Sequence, residues 1–402
     1  MKKNRVAILS LNYIPSTGGL VTYIKSICKS LILESNDVTV FCAFELLEGQ
    51  KEQEVIDGVN VVRVPVFDKN YINKLFGPFR MRNKFVKFFK EQINLNDFDF
   101  IVARHVYLAG ALVKLNNETI LNKSCFLAPL IAPRLIKIDA KSEGLVKKVY
   151  SHLLIPQLYI IERAVVKSKI AIKVLSDSKS KEFAEYYNIA APKVCPPGID
   201  LERFRPVGRT IKEGLNASTR PEFVILSVCR LVEEKNLSLV IESLPGIIKL
   251  LGQSRVRYLV AGDGPLMSSL KSLAIKIGVD KNIEFLGEIQ EIETVYQKAN
   301  VFILPSIYEG FGHVYLEANS SGVPCFGLKN GVDGSITACD EIIKEGVNGF
   351  LINGNTPEAL VRSVELFLKA DRTPSDWSDS CRARVELNYS WSAHIKLLQA
   401  DL

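Results

Sequence analysis

At 402 residues the chain exceeds one ordinary core, and length favours two domains of roughly 200 residues each. Apolar residues make up 47% and charged residues 24%, with glycine and proline near average usage, which excludes disordered, fibrous and disulfide-scaffold classes. The net charge of +7 is uneven, with 29 Lys/Arg against 19 Asp/Glu in residues 1–200 and 22 against 25 in 201–402, so the first half attracts a polyanion such as an anionic lipid surface, a phosphorylated acceptor or nucleic acid.

Lys2 and Lys3 lead into Val6–Leu9, but the apolar run stops at Asn12, Pro15 follows, and no small-residue cleavage site appears. A buried first strand is expected rather than an export signal. Short β-branched runs then recur at Arg5–Leu11, Asp37–Phe41, Val59–Val64, Phe100–Ala103 and Ala171–Leu175, with helical patterns such as Thr22–Leu33 and Leu145–Val166 between them. The second half repeats the alternation at Phe223–Val228, Val256–Ala261, Ile283–Phe285, Val301–Leu304 and Val323–Phe326. Such alternation predicts an α/β protein with two doubly wound parallel sheets and a cleft between them. The break is expected near Cys195–Asp200, and a second polar stretch, Gly208–Pro221, precedes the second half.

No stretch has the roughly 18 apolar residues of a spanning helix; the best, Cys125–Ile136, contains two prolines and Arg134. Eight scattered cysteines form no C-x-x-C pair, which reads as buried free thiols in a reducing cytoplasm. The segment Asn73–Lys90 interleaves Lys74, Arg80, Arg82, Lys84, Lys87 and Lys90 with Leu75, Phe76, Phe79, Phe85, Val86, Phe88 and Phe89. Two readings stay open: a helix docking on an anionic membrane, or one whose phenylalanines face the core while its lysines face water. No nucleic-acid fold signature accompanies it, so no nucleic-acid partner is expected.

Chemistry concentrates in the second half. After the run ending at Leu304, Pro305 and the glycines of Glu309–Gly310–Phe311–Gly312–His313 make a loop, and a helical pattern carrying Glu317 follows. A glycine-rich turn at the end of a parallel strand offers N–H donors to an anion at a helix start. The glutamates are eight positions apart, about 12 Å if helical, a spacing suited to two hydroxyl-bearing parts of one elongated ligand. Arg230 and Lys235 follow another strand and suit a departing diphosphate, the alternative being a solvated turn with surface pairs to Glu233 or Glu234. Val260–Pro265 places Gly262, Asp263 and Gly264 in a tight turn; it is neither a dinucleotide fingerprint nor a D-x-D metal motif. In the first half, Gly18 and Gly19 precede a helix, where a Gly-Gly turn can approach a phosphate closely.

The block EGFGHVYLEA, with the Pro-Ser before it, resembles the Glu-x7-Glu signature of the group 1 (glycogen synthase-like) retaining GT-B glycosyltransferases. The resemblance spreads over residues 16–354, more weakly before 170, and Val194–Pro206 resembles that family's domain-crossing segment with Pro197 in place of the usual Asn. It implies two Rossmann-like domains facing a central cleft: 1–197 for the acceptor and 198–386 for the nucleotide-sugar, with a final helix in 387–402 returning to the first. It further implies that Glu309 contacts the sugar hydroxyls and Glu317 the ribose, that the backbone of Gly310, Phe311, Gly312, His313 and Val314 lines the sugar and phosphates, and that Arg230 and Lys235 hold the diphosphate. Gly18 and Gly19 would meet the donor phosphates and the acceptor, and Gly262 would stand beside the nucleotide.

The family's catalytic-loop histidine, expected in Ser124–Pro133, is absent, which leaves His105 at another strand end as a candidate whose role is either catalytic or structural. The resemblance implies transfer from a UDP- or GDP-sugar to a glycan or lipid-linked acceptor, without cofactor or metal, by a cytoplasmic enzyme peripheral to the membrane. The rivals are a nucleotide-sugar 2-epimerase of the same architecture and a non-catalytic sugar-nucleotide-binding subunit.

Overall fold

The computed structural model describes residues 3–16, 18–43, 51–66, 77–139, 145–206, 222–252 and 255–400, with the backbone alone at 138, 139, 145–150 and 255. Thr17, residues 73–76 with Lys74, Leu75 and Phe76, and the polar stretch Gly208–Pro221 lie outside these ranges. The chain forms two compact units, Met1–Gly198 with Trp391–Leu402, and Ile199–Ser390.

The first unit holds β1 (Arg5–Leu9), β2 (Asp37–Ala43), β3 (Gln53–Ile56), β4 (Val59–Val64), β5 (Phe100–Ala103), β6 (Ser124–Ala128), β7 (Ala171–Val174) and β8 (Lys193–Val194), in the spatial order β3-β4-β2-β1-β5-β6-β7-β8. Every pairing is parallel except β3 with β4. Ser124–Ala128 is thus a strand, and the loop expected there begins only at Pro129. The inner strands β5 and β6 are buried on both faces, which is why they read as continuous apolar runs rather than alternating ones.

The second unit holds β9 (Glu222–Val228), β10 (Arg255–Ala261), β11 (Ile283–Gly287), β12 (Val301–Leu304), β13 (Cys325–Leu328) and β14 (Gly349–Ile352) in the all-parallel order β11-β10-β9-β12-β13-β14. In both sheets the order reverses beside the first strand, between β1 and β5 and between β9 and β12. Ligands of doubly wound sheets bind outside the carboxyl ends of the strands at this switch point.

Helix Gly77–Glu91 closes one face of the first sheet. Phe85, Val86, Phe88 and Phe89 are buried in its core, Phe89 edge-on to Phe41 at 5.7 Å, while Arg80, Lys87 and Lys90 are exposed. Burying a phenylalanine is worth about 1.5–3 kcal/mol, so these rings stay in the core, as the second of the two readings has them. All eight cysteines are free thiols.

The closing helix Trp391–Gln399 belongs to the first unit, where buried Lys173 of β7 donates to the carbonyls of Leu397, Leu398 and Ala400 at 2.6, 2.9 and 2.7 Å. A cation on the carbonyl end of a helix satisfies its orphan acceptors and complements its dipole.

Candidate active site

In the second unit the loops leaving β9 and β12 meet at the switch point. The Ile307 amide donates to the Glu234 carbonyl at 2.8 Å, and Lys235 Nζ lies 2.5 Å from Glu309 Oε2. The partner of Lys235 is therefore Glu309, 74 residues away, rather than Glu233 or Glu234. Burial pushes the Lys235 ammonium toward neutrality, but the Glu309 carboxylate outweighs it and holds the group above the ordinary lysine range. Arg230, at the mouth of the same loop, is exposed and its side chain makes no ion pair among the described residues.

The backbone around Glu309 is paired on its other side. Its amide donates to the Ile336 carbonyl at 3.0 Å, and the Ile336 amide donates to Ile307 at 2.9 Å. Glu309 Oε1 accepts from the Gly310 amide at 3.2 Å, so both carboxylate oxygens are held. Gly312 starts helix His313–Ser320 with φ near +90°, and a Cβ there would stand 2.6 Å from the Tyr315 ring, so the turn admits only glycine. Phe311 is buried edge-on to Tyr389 at 5.8 Å, and His313 and Val314 open the helix half-buried. The helix covers only the second half of the Glu309-to-Glu317 interval, so the expected helical rise does not apply: the turn at Gly312 sets the spacing of the carboxylates.

Glu317 is half-buried and accepts from the Tyr296 hydroxyl at 2.8 Å. Burial raises its pKa, against the lowering effects of that hydroxyl and of Arg203, which itself pairs with Glu293 at 2.9 Å. Gly262 has φ near +126°, and a Cβ would lie 1.9 Å from the Cys229 carbonyl oxygen; the Leu231 amide donates to Asp263 at 2.9 Å. The glycine thus lets the turn after β10 lie against the loop that carries Arg230.

In the first unit, Gly18 (φ near +117°) precedes helix Gly19–Leu33, and beyond their chain neighbours no atom of the described residues lies within 4 Å of where a Cβ on Gly18 or Gly19 would stand. Buried Arg63 of β4 steadies the preceding segment by donating to the Ile14 carbonyl at 2.7 Å and pairing with Glu54. Across the switch point, His105 caps helix Val106–Leu115: its Nδ1 accepts from the Tyr107 amide at 3.3 Å. Burial lowers its pKa to about 4. With Nδ1 accepting, the neutral ring carries its proton on Nε2, which makes that nitrogen a donor and not a base.

Tyr296, Ile336 and Arg63 escape sequence reasoning because each acts across a long chain interval and none sits in a short motif. Among the described residues no group of three or more His, Cys, Asp or Glu is placed to hold a metal ion, and no helix is long and apolar enough to cross a membrane.

Residues 210–384 match the family model described as "Glycosyl transferases group 1". An uncharacterized glycosyltransferase of Methanocaldococcus jannaschii is 25% identical over 96% of this chain and 95% of its own. The UDP-Gal:alpha-D-GlcNAc-diphosphoundecaprenol alpha-1,3-galactosyltransferase of Escherichia coli is 30% identical over 48% of this chain and 49% of its own, so that match spans about half of each. The structure of sucrose-phosphate synthase from Thermosynechococcus elongatus superposes with a TM-score of 0.74 at 18% identity, covering 98% of this chain and 97% of that one. Taken with the paired glutamates at a switch point, these likenesses make residues 210–384 a group 1 glycosyltransferase domain, in a chain with the GT-B fold.

Proposed function

We propose that this glycosyltransferase retains anomeric configuration, needs no metal, and moves a sugar from a UDP- or GDP-sugar to a glycan or lipid-linked acceptor in cell-surface polysaccharide or glycolipid assembly. The second unit binds the donor and the first binds the acceptor. The observation that carries this reading is the Lys235–Glu309 contact, which brings a phosphate-binding cation and a hydroxyl-binding acid together at a switch point. Glu317, steadied by Tyr296, takes the ribose hydroxyls. The backbone of Gly310–Val314 and the turn at Gly262 line the donor, and Gly18 and Gly19 approach its phosphates.

In the reaction the bond from the anomeric carbon to the diphosphate oxygen breaks, and the acceptor oxygen bonds to the same face of the sugar. The acceptor's proton passes to the departing phosphate oxygen, so no side-chain base is required. Arg230 and Lys235 stabilise the developing charge, and fixed donors of this kind typically contribute roughly a hundredfold to a thousandfold each. His105, protonated on Nε2, orients a sugar hydroxyl.

The E. coli relative's name places its acceptor on a lipid diphosphate, and the first half of this chain is basic. Both support peripheral attachment to an anionic inner membrane face through the exposed Arg80, Lys87 and Lys90. A variant with Lys87 and Lys90 changed to Glu should leave anionic vesicles, and no binding by the native chain at low salt would remove the membrane from the reading.

Incubation with a panel of UDP- and GDP-sugars tests the activity. Slow release of free sugar, retained in configuration and unaffected by a chelator, is expected from one or a few donors. Release of an isomerised sugar would establish a 2-epimerase, and binding without any hydrolysis a non-catalytic subunit.

A further inference from the structure

The segment following β6 in the first unit is gripped from beneath by two buried acids. Glu162, fully buried, accepts from the Ala132 amide at 3.1 Å and from the Tyr187 hydroxyl at 2.6 Å. Burial raises its carboxyl pKa to about 8, so it sits there largely uncharged at neutral pH. Glu182, also buried, takes Lys179 Nζ on one oxygen and Arg134 Nη1 on the other, each at 2.8 Å.

Lys179 is itself fully buried and already neutralises Glu182. Arg134 brings a second positive charge to the Glu182 carboxylate, carried on the one member of the trio that reaches water, its side chain 40% exposed. Apart from the contact with Glu182, its guanidinium makes no hydrogen bond among the described residues. Arg134 stands just past the carboxyl end of a parallel strand, the edge at which such sheets receive ligands. A guanidinium fixed at one nitrogen, with further N–H groups open, matches the geometry of a phosphate.

We propose that Arg134 receives a phosphate group of the acceptor, with Glu182 and Lys179 as positioning residues that hold its guanidinium in place. This rests on the reading of the first unit as the acceptor-binding one. The phosphate could be borne by a lipid or by a soluble phosphomonoester, and the same arginine serves both.

The test uses the full chain saturated with UDP or GDP, so that the donor's diphosphate site is filled, and titrates it with glycerol 1-phosphate by calorimetry. Arg134→Ala should weaken binding at least tenfold, and Arg134→Lys should restore part of it. Glu182→Gln, which keeps the guanidinium but loosens its anchor, should weaken it severalfold. Should Arg134→Ala fail to fold, the Lys and Gln variants decide. Equal affinity in native and Arg134 variants, or no binding by the native chain to either phosphate source, overturns the proposal. Phosphatidylglycerol vesicles form the second arm: Arg134-dependent binding there alone assigns a lipid-borne phosphate, and in both arms admits a soluble acceptor. Failure of UDP and GDP to bind would be seen before any phosphate is added and would count against the donor site instead.

Discussion

Lys235 Nζ and Glu309 Oε2 lie 2.5 Å apart, and this contact joins the loops that leave β9 and β12. Neither side chain can be changed without disturbing the other, because each is largely buried and compensates the other's charge. Losing a hydrogen bond to a charged group costs about 1.5–3 kcal/mol, or roughly tenfold to a hundredfold in rate. Glu309→Ala and Lys235→Ala should each lower turnover by that order, and the double variant should lose much less than the product of the two. Strictly multiplicative losses in kcat across the four proteins would mean that the two residues act independently.

Glu317 depends on Tyr296 in a different way. The tyrosine hydroxyl favours the charged carboxylate against burial, which otherwise raises its pKa. Glu317→Ala should weaken nucleotide binding by roughly tenfold or more. Tyr296→Phe should weaken it less, and mainly at low pH, since loss of the donor moves the carboxyl pKa further up and protonation then removes the charge. The dissociation constant of the nucleoside diphosphate between pH 5 and 8 checks this. A Tyr296→Phe protein whose affinity follows the native pH profile would show that the hydroxyl does not set the charge of Glu317.

Short continuous apolar runs separated by helical patterns made the parallel strands legible, and the glycine-flanked glutamates made the donor loop so. What was missed has physical causes. Strand β3 is four partly exposed residues paired antiparallel with β4, too short and polar for a buried-strand pattern. The run Val323–Phe326 becomes a strand only from Cys325: the Val323 amide caps the preceding helix through the Ala318 carbonyl, and Pro324 has no N–H to give a ladder. The grip of Glu182 on Arg134 joins residues 48 apart on different elements, so no local spacing announces it. The phenylalanines of Gly77–Glu91 fit two environments equally until the sheet that covers them is known.

Arg230 and His105 differ in what each can do for a leaving diphosphate. Arg230 is an exposed cation at the switch point of the second sheet, whereas His105 is a neutral helix cap. Removing a fixed donor to developing charge typically costs roughly a hundredfold to a thousandfold in kcat. Arg230→Ala should therefore lose more turnover than His105→Ala, and a chelator should leave both unchanged. Since His105 stays neutral from pH 5 to 8, it should add no inflection near pH 6.5 to the native profile. Greater damage from His105→Ala, with its fold intact, would make that histidine a reacting group and refute the base-free mechanism.

Glu162 offers a test of stability that is separate from turnover. Its folded pKa, raised to about 8 by burial, stands above the ordinary glutamate value of about 4.3 that the unfolded chain would show. Below both values the folded and unfolded chains carry the proton alike, and no difference arises. Between them the folded chain keeps a proton that the unfolded chain has released, so stability falls as pH rises and levels off above pH 8. At about 1.4 kcal/mol per unit, the full loss is on the order of 5 kcal/mol. Glu162→Gln keeps an acceptor for the Ala132 amide and the Tyr187 hydroxyl but cannot ionise. Its side-chain NH2 takes the place of the Glu162 oxygen that has no hydrogen-bond partner, so at pH 5 it should melt at or below the native temperature. By pH 8 its stability relative to the native protein should have risen by several kcal/mol, as read from denaturant midpoints at both pH values. A difference that does not change between pH 5 and 8 would mean that Glu162 ionises normally and that the Ala132 segment is held by a charged carboxylate.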